Sequence, residues 1–208
     1  MHLSSIMENM SSEIESTEPS LNDRIAQRVR DLRAARGLSL EALAAHCGVS
    51  RSMISLIERG ESSPTAVLLE KLATGLHVPL ASLFDAPLAS ASPIARRADQ
   101  PLWRDPHSGY LRRNVSPPGF ASPIQWVEVV FPPQARVAYE TGAREPVMHQ
   151  QVWLLEGAME ISVGPTTHCL SQGDCLALVL KQPVAFYNPT TESARYAVVI
   201  VSAAGLPR

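Results

Sequence analysis

The chain has 208 residues, 45% of them hydrophobic, and a formal charge of −2 at neutral pH. That length admits one large domain or two small ones, the apolar share is enough for a packed core, and the near-neutral charge excludes a bulk polyanion binder. Residues 1–20 carry four Glu and no Lys or Arg, whereas 21–85 and 86–208 each carry a net +1, so any affinity for nucleic acid must come from placed charges, which dimerisation would double.

The first segment, MHLSSIMENMSSEIESTEPS, is acidic and Ser-rich. It has no basic region followed by an apolar run, so it is not read as a signal peptide, and residues 1–20 are expected to be a disordered tail. Met7 and Met10 offer alternative starts. No window approaches the length of a membrane span. Three cysteines, Cys47, Cys169 and Cys175, with no export signal point to reduced thiols and a cytoplasmic protein. Cys169 and Cys175 flank the LSQGD turn and read as small buried core residues rather than as a redox pair.

Residues 21–85 have helical periodicity. Leu21, Ile25, Val29 and Leu32 step by helical intervals, with Ser20 as cap and Gly37 as stop. Ser39 precedes LEALAAHCG, and Ser50 opens RSMISLIERG. Ser63-Pro64 reads as the cap and first turn of TAVLLEKLATGLHV, and Pro79 restarts a last turn through Leu83 and Phe84. Five short helices with tight joints are predicted. In the third, Arg51, Ser52, Ser55, Leu56 and Arg59 fall within an arc of roughly 140°, opposite Ile54 and Ile57. The tight Gly-Val-Ser joint before it makes a helix-turn-helix, whose second helix enters the DNA major groove. Arg51 can then reach guanine O6 and N7, and Ser52 and Ser55 can reach base edges or phosphate. Arg59 and the capping Ser39 and Ser50 are placed for phosphates, where donors position without reading sequence. A plain small bundle with a solvated polar edge is the alternative.

Residues 86–102, beginning APLASASP, have no period and read as a linker. From 103 to 204 the period becomes two. IQWVEVVF, RVAYE, QQVWLLEG, AMEISVG, CLALVL, VAFYN and ARYAVVIV are strand patterns separated by turn residues. They predict an antiparallel barrel or jelly roll. The whole is therefore an α + β multidomain chain: a helical bundle, then an all-β barrel.

The segment SLEALAAHCGVSRSMISLIERGESSPTAVLLEKLATGLHVPLASLF resembles the phage-repressor, or XRE, type of helix-turn-helix. Gly-Val-Ser at the turn, Ile-Glu-Arg-Gly at the exit and Ser-Pro-Thr carry the likeness. Leu40 and Leu56 depart from it, since family members often have a phosphate-bonding Gln at the first position and some have a base-reading polar residue at the second. Leu56 could instead touch a thymine methyl. Residues 103–204 are similar to a cupin barrel, with HQQVWLLEGAMEISVG near the first signature and LSQGDCLALVLKQPVAFYNP near the second.

The resemblance implies a one-component, sequence-specific transcription regulator. Its expected partners are a double-stranded operator, a small-molecule effector and a second copy of the chain, and the cupin domain would dimerise and sense. The alternative it implies is a cupin-type metalloenzyme, an isomerase or dioxygenase, with a regulatory DNA-binding domain. A third reading is a constitutive repressor whose barrel only dimerises it. Enzymatic cupins hold a metal through His residues and a Glu. Aligned on Gly157, the Glu position is Gln150, the two His positions fall on Ala143 and Glu145 or on Arg144 and Pro146, and the last His position is Val184. We therefore expect no metal, no cofactor and no enzymatic activity. We expect instead an effector pocket lined by Gln150, Val184 and Phe186, with Glu145 and His149 near the rim. Trp126, Tyr139, Trp153 and Tyr196 could also line such a pocket, although most aromatics in a barrel are core.

Overall fold

The computed structural model describes residues 20–84, 92–120, 122–140 and 147–202. The expected tail to residue 19, the first part of the expected linker and the rim residue Glu145 lie outside these.

Helix α1 spans Leu21–Ala35 and opens with a capping box, in which Ser20 Oγ accepts the Asp23 amide and Asp23 accepts the Ser20 amide. Helix α2, Leu40–Cys47, is capped by Ser39 and stopped by Gly48 at φ +64, a left-handed conformation that costs glycine little. Helix α3, Arg51–Glu58, is capped by Ser50, whose Oγ accepts the Met53 amide. Each serine satisfies an amide that the first helical turn leaves unpaired. Helix α4, Ala66–Gly75, begins two residues later than Ser63-Pro64 suggests, because Thr65 caps the Leu68 amide. The fifth element, Leu80–Phe84, is a 3-10 helix rather than a fifth α-helix. Ile25, Leu43, Ile54, Ile57, Leu69 and Leu72 are at most 1% exposed, so one apolar core pins the orientation of all four helices. A buried ion pair adds to it. Arg33 grips the Glu58 carboxylate through Nε and Nη2 at 2.6 and 2.7 Å.

Ten strands follow: β1 Leu102–Arg104, β2 Leu111–Asn114, β3 Ile124–Phe131, β4 Arg136–Tyr139, β5 Met148–Glu156, β6 Ala158–Val163, β7 Thr166–Ser171, β8 Cys175–Val179, β9 Val184–Tyr187 and β10 Ala194–Ser202. They form a six-stranded sheet in the order β1-β2-β3-β10-β5-β8 and a four-stranded sheet in the order β4-β9-β6-β7. The strand pairings are antiparallel. The two sheets enclose a core from Val127, Val152, Leu154, Met159, Ile161 and Val198, the jelly-roll arrangement of a cupin-type barrel. Strands β1, β2 and β7 escape the sequence reading. Only Leu170 of β7 is buried, and β2 carries two arginines where an apolar alternation would announce a strand.

Alternation along the strands corrects three expectations. Trp126 and Trp153 point outward and are 43% and 48% exposed, not core. His149 is exposed on the opposite face of β5 from Gln150, so it does not line the interior. Cys169 and Cys175 are exposed, and only Cys47 is buried, where burial raises its thiol pKa.

The helices and the barrel share a continuous core. Phe84 meets Trp103 edge-on at 5.7 Å, and Trp103 meets Tyr110 at 5.8 Å. Asp105, 2% exposed, accepts the Ala66 amide at 2.8 Å and so caps the start of α4 from the barrel. Asn114 of β2 donates to the Ala81 carbonyl at 3.2 Å. No helix among the described residues is long and apolar enough to cross a membrane.

Candidate functional site

Two sites emerge, one on the helical surface and one inside the barrel. The first is the leading edge of α3. Its buried face, Ile54 and Ile57, fixes the helix on α1 and α2, while Arg51 and Ser52 at its N-terminal turn are exposed. Ser55 and Leu56 are half-buried on the same side, and Arg59 follows just beyond the helix. Ser39 and Ser50 are committed to capping, as their serine chemistry suggests, yet both stay exposed beside the turn.

The arginines are held, though loosely. Arg51 pairs with Glu41 of α2, both side chains 63% exposed. Arg59 donates to the Glu61 carboxylate at 2.8 Å through Nε and Nη2 and also to Ser55 Oγ. The Arg59 guanidinium lowers the pKa of the Glu61 carboxyl. Exposed pairs of this kind contribute little and exchange readily, so a guanine or phosphate can take either guanidinium.

The second site is a cavity of about 60 Å³ between the sheets. Gln150, Val184 and Phe186 line it as expected, joined by Tyr139 and Tyr196. Among the lining residues that the sequence reading missed are Tyr110 and Arg112 from the barrel, and Glu70 and Leu80 from the helical part of the chain. The cavity is therefore bordered by α4 and the 3-10 helix as well as by the barrel. Of its tyrosines, Tyr110 and Tyr196 are buried and Tyr139 is half-buried. Burial pushes Tyr110 up to about 12 and raises Tyr139 and Tyr196 well above the phenol range. The hydroxyls of Tyr110 and Tyr139 lie 3.2 Å apart.

A cupin-type metal does not fit this donor set. Gln150 offers an amide and Val184 an aliphatic side chain where the fold family places a carboxylate and an imidazole. Among the described residues no three His, Cys, Asp or Glu side chains cluster as metal ligands.

Asn188, which closes the second cupin-like segment, is a strut. Fully buried, it donates to the carbonyls of Phe131, Pro132 and Glu192 and accepts from Thr190.

Comparison with known proteins bears on both halves. The helix-turn-helix family HTH_3 matches residues 29–83. The HTH-type transcriptional regulator SutR of Escherichia coli strain K12 is 49% identical over 69 residues, 33% of this chain and 38% of that protein. SinR of Bacillus subtilis strain 168, another HTH-type transcriptional regulator, is 39% identical over 62 residues, 29% of this chain and 56% of its own length. The matched segment thus spans less than two thirds of these relatives. A crystal structure of an HTH_3 family transcriptional regulator from Vibrio cholerae aligns over 90% of this chain and 98% of its own, with a TM-score of 0.70 and 27% identity. Residues 29–83 are a helix-turn-helix domain of the HTH_3, or XRE-type, family, and the fold of the chain as a whole is similar to that of the Vibrio cholerae regulator.

Proposed function

We propose that this chain is a sequence-specific, DNA-binding transcription regulator whose barrel dimerises it and senses a small molecule. The observation that carries the reading is the leading edge of α3. A helix anchored by Ile54 and Ile57 presents Arg51 and Ser52 at its exposed N-terminal turn, next to the Gly48 corner. That is the geometry by which a second helix enters the major groove. Arg51 is assigned to a guanine and Ser52 and Ser55 to base edges or phosphate. Ser39, Ser50 and Arg59 are assigned to the backbone and Leu56 to a thymine methyl.

One such helix reads few base pairs, so two copies of the chain are inferred to bind half-sites about one helical turn apart or a multiple of that. The outward Trp126 and Trp153, on β3 and β5 either side of β10, give the barrel an apolar face suited to that pairing. Inside, Gln150, Val184 and Phe186 belong to a small, largely apolar cavity bordered by α4 and the 3-10 helix, which suits an effector site whose occupancy the helices can feel. The chain is read as acting in the cytoplasm and as a regulator rather than an enzyme.

The test is selection of bound duplexes from a random library, followed by footprinting. A pseudo-palindromic site protected in two patches is expected, and Arg59→Ala should weaken all sequences alike and flatten the dependence on salt. Recovery of no enriched sequence would overturn the reading. A stoichiometric metal in protein purified without tag or chelator would favour the metalloenzyme alternative.

A further inference from the structure

Arg112 was not singled out by the sequence reading. It sits on β2 at 7% exposure and lines the barrel cavity, with its guanidinium 5.5 Å above the Phe84 ring, a cation–π contact. Its Nε and Nη2 are both buried without a hydrogen-bond partner among the described residues. A guanidinium cannot shed its proton, and leaving its donors unmade in a desolvated site is costly. Nε and Nη2 form one edge of the guanidinium. Their N–H bonds run parallel, the spacing that matches the two oxygens of a carboxylate.

The surroundings narrow the class further. Val129, Leu180 and Val184 make the wall apolar, and Glu70 contributes a carboxylate to the same cavity. One guanidinium edge pairs with one carboxylate and the rest of the wall is largely apolar, so a single negative charge is favoured. The cavity of about 60 Å³ holds only a few non-hydrogen atoms.

We propose that this cavity binds a small aliphatic monocarboxylate, its oxygens on Nε and Nη2 of Arg112 and its hydrocarbon end against Val184. This deepens the sensing role proposed above. The ligand would touch the helical part of the chain directly through Leu80, and would reach the Phe84 ring through Arg112. Occupancy would therefore bias the seat of α4 and the 3-10 helix on the barrel, which is where unequal affinity for two arrangements can arise.

The experiment is calorimetric titration of the full chain with acetate, propionate and butyrate, alongside propionamide and inorganic phosphate. At least one acid should bind ten times or more tighter than propionamide, and phosphate should not bind. Arg112→Lys, which keeps the charge but not the fork, should weaken the acid tenfold or more while the circular dichroism stays native. Equal affinity for acid and amide, tighter binding of phosphate, or no binding of any acid at tens of millimolar overturns the proposal. The acid–amide comparison uses the unaltered protein, so misfolding of the variant cannot mask the answer. Adding the acids to the complex with a selected duplex separates the two readings. Arg112-dependent binding that leaves DNA affinity unchanged upholds the site and overturns the sensing role.

Discussion

Arg51 and Arg112 are the same residue in opposite circumstances. Arg51 stands 63% exposed on a short helix and pairs with an equally exposed Glu41. Arg112 is 7% exposed on a β-strand, with two donors unpaired among the described residues and an aromatic ring beneath it. Water makes the first arginine cheap to hold and easy to hand over, which suits a group that must let go of a neighbour to meet DNA. Low dielectric makes the second expensive unless an anion arrives, which suits a group that waits for one ligand. The two regions are joined by the core around Phe84, so the comparison can be broken at the joint, at the helix or at its cap.

The largest effect is expected at the joint. Phe84→Ala removes a ring that packs on both Trp103 and Arg112 and should cost about 3–5 kcal/mol. Differential scanning calorimetry should then show helices and barrel melting apart. A single unchanged transition would mean that the shared core does not couple them. Next is Ile57→Ala, which should destabilise the helical bundle by about 2–5 kcal/mol in urea titration and abolish duplex binding. Retained duplex binding would show that α3 does not depend on its buried face.

A smaller loss follows from Arg51→Ala. Duplex affinity should fall by about 1–3 kcal/mol and sequence preference should relax at one base position. A footprint and preference identical to the unaltered protein would remove Arg51 from the groove. Smallest is Ser50→Ala, which unties the Met53 amide and should cost about 0.5–2 kcal/mol of stability, read as a shift in melting temperature. Arg112 should respond to neither Arg51→Ala nor Ser50→Ala, so carboxylate titration of both variants should match the unaltered chain.

Legibility differed between the two regions for a physical reason. The surface of α3 was legible because its signals are local. Ser50 caps an amide three residues away, Gly48 turns the chain, and Ile54 and Ile57 share a face by helical geometry. The interior of the barrel was legible in part. Gln150 and Val184 were placed by their positions in the cupin-like signatures, and the alternation of β5 and β9 turns them inward. His149, expected near the rim, is exposed on the other face of β5. Arg112 was missed because LRRN has no apolar rhythm, and β2 exists through its pairing with β3 rather than through its own pattern.

The sequence by itself determined the first three helices through their serine caps and glycine stops, the edge that α3 exposes, and seven of the strands. These depend on hydrogen bonds and side-chain periodicity within a few residues. Tertiary structure alone decided that Asp105 would cap α4 from 39 residues away, that α4 and the 3-10 helix would border the barrel cavity, and that Arg112 would be buried in its wall. A charged side chain acquires that meaning only from what packs around it, because its hydration and its partners come from segments remote in the chain.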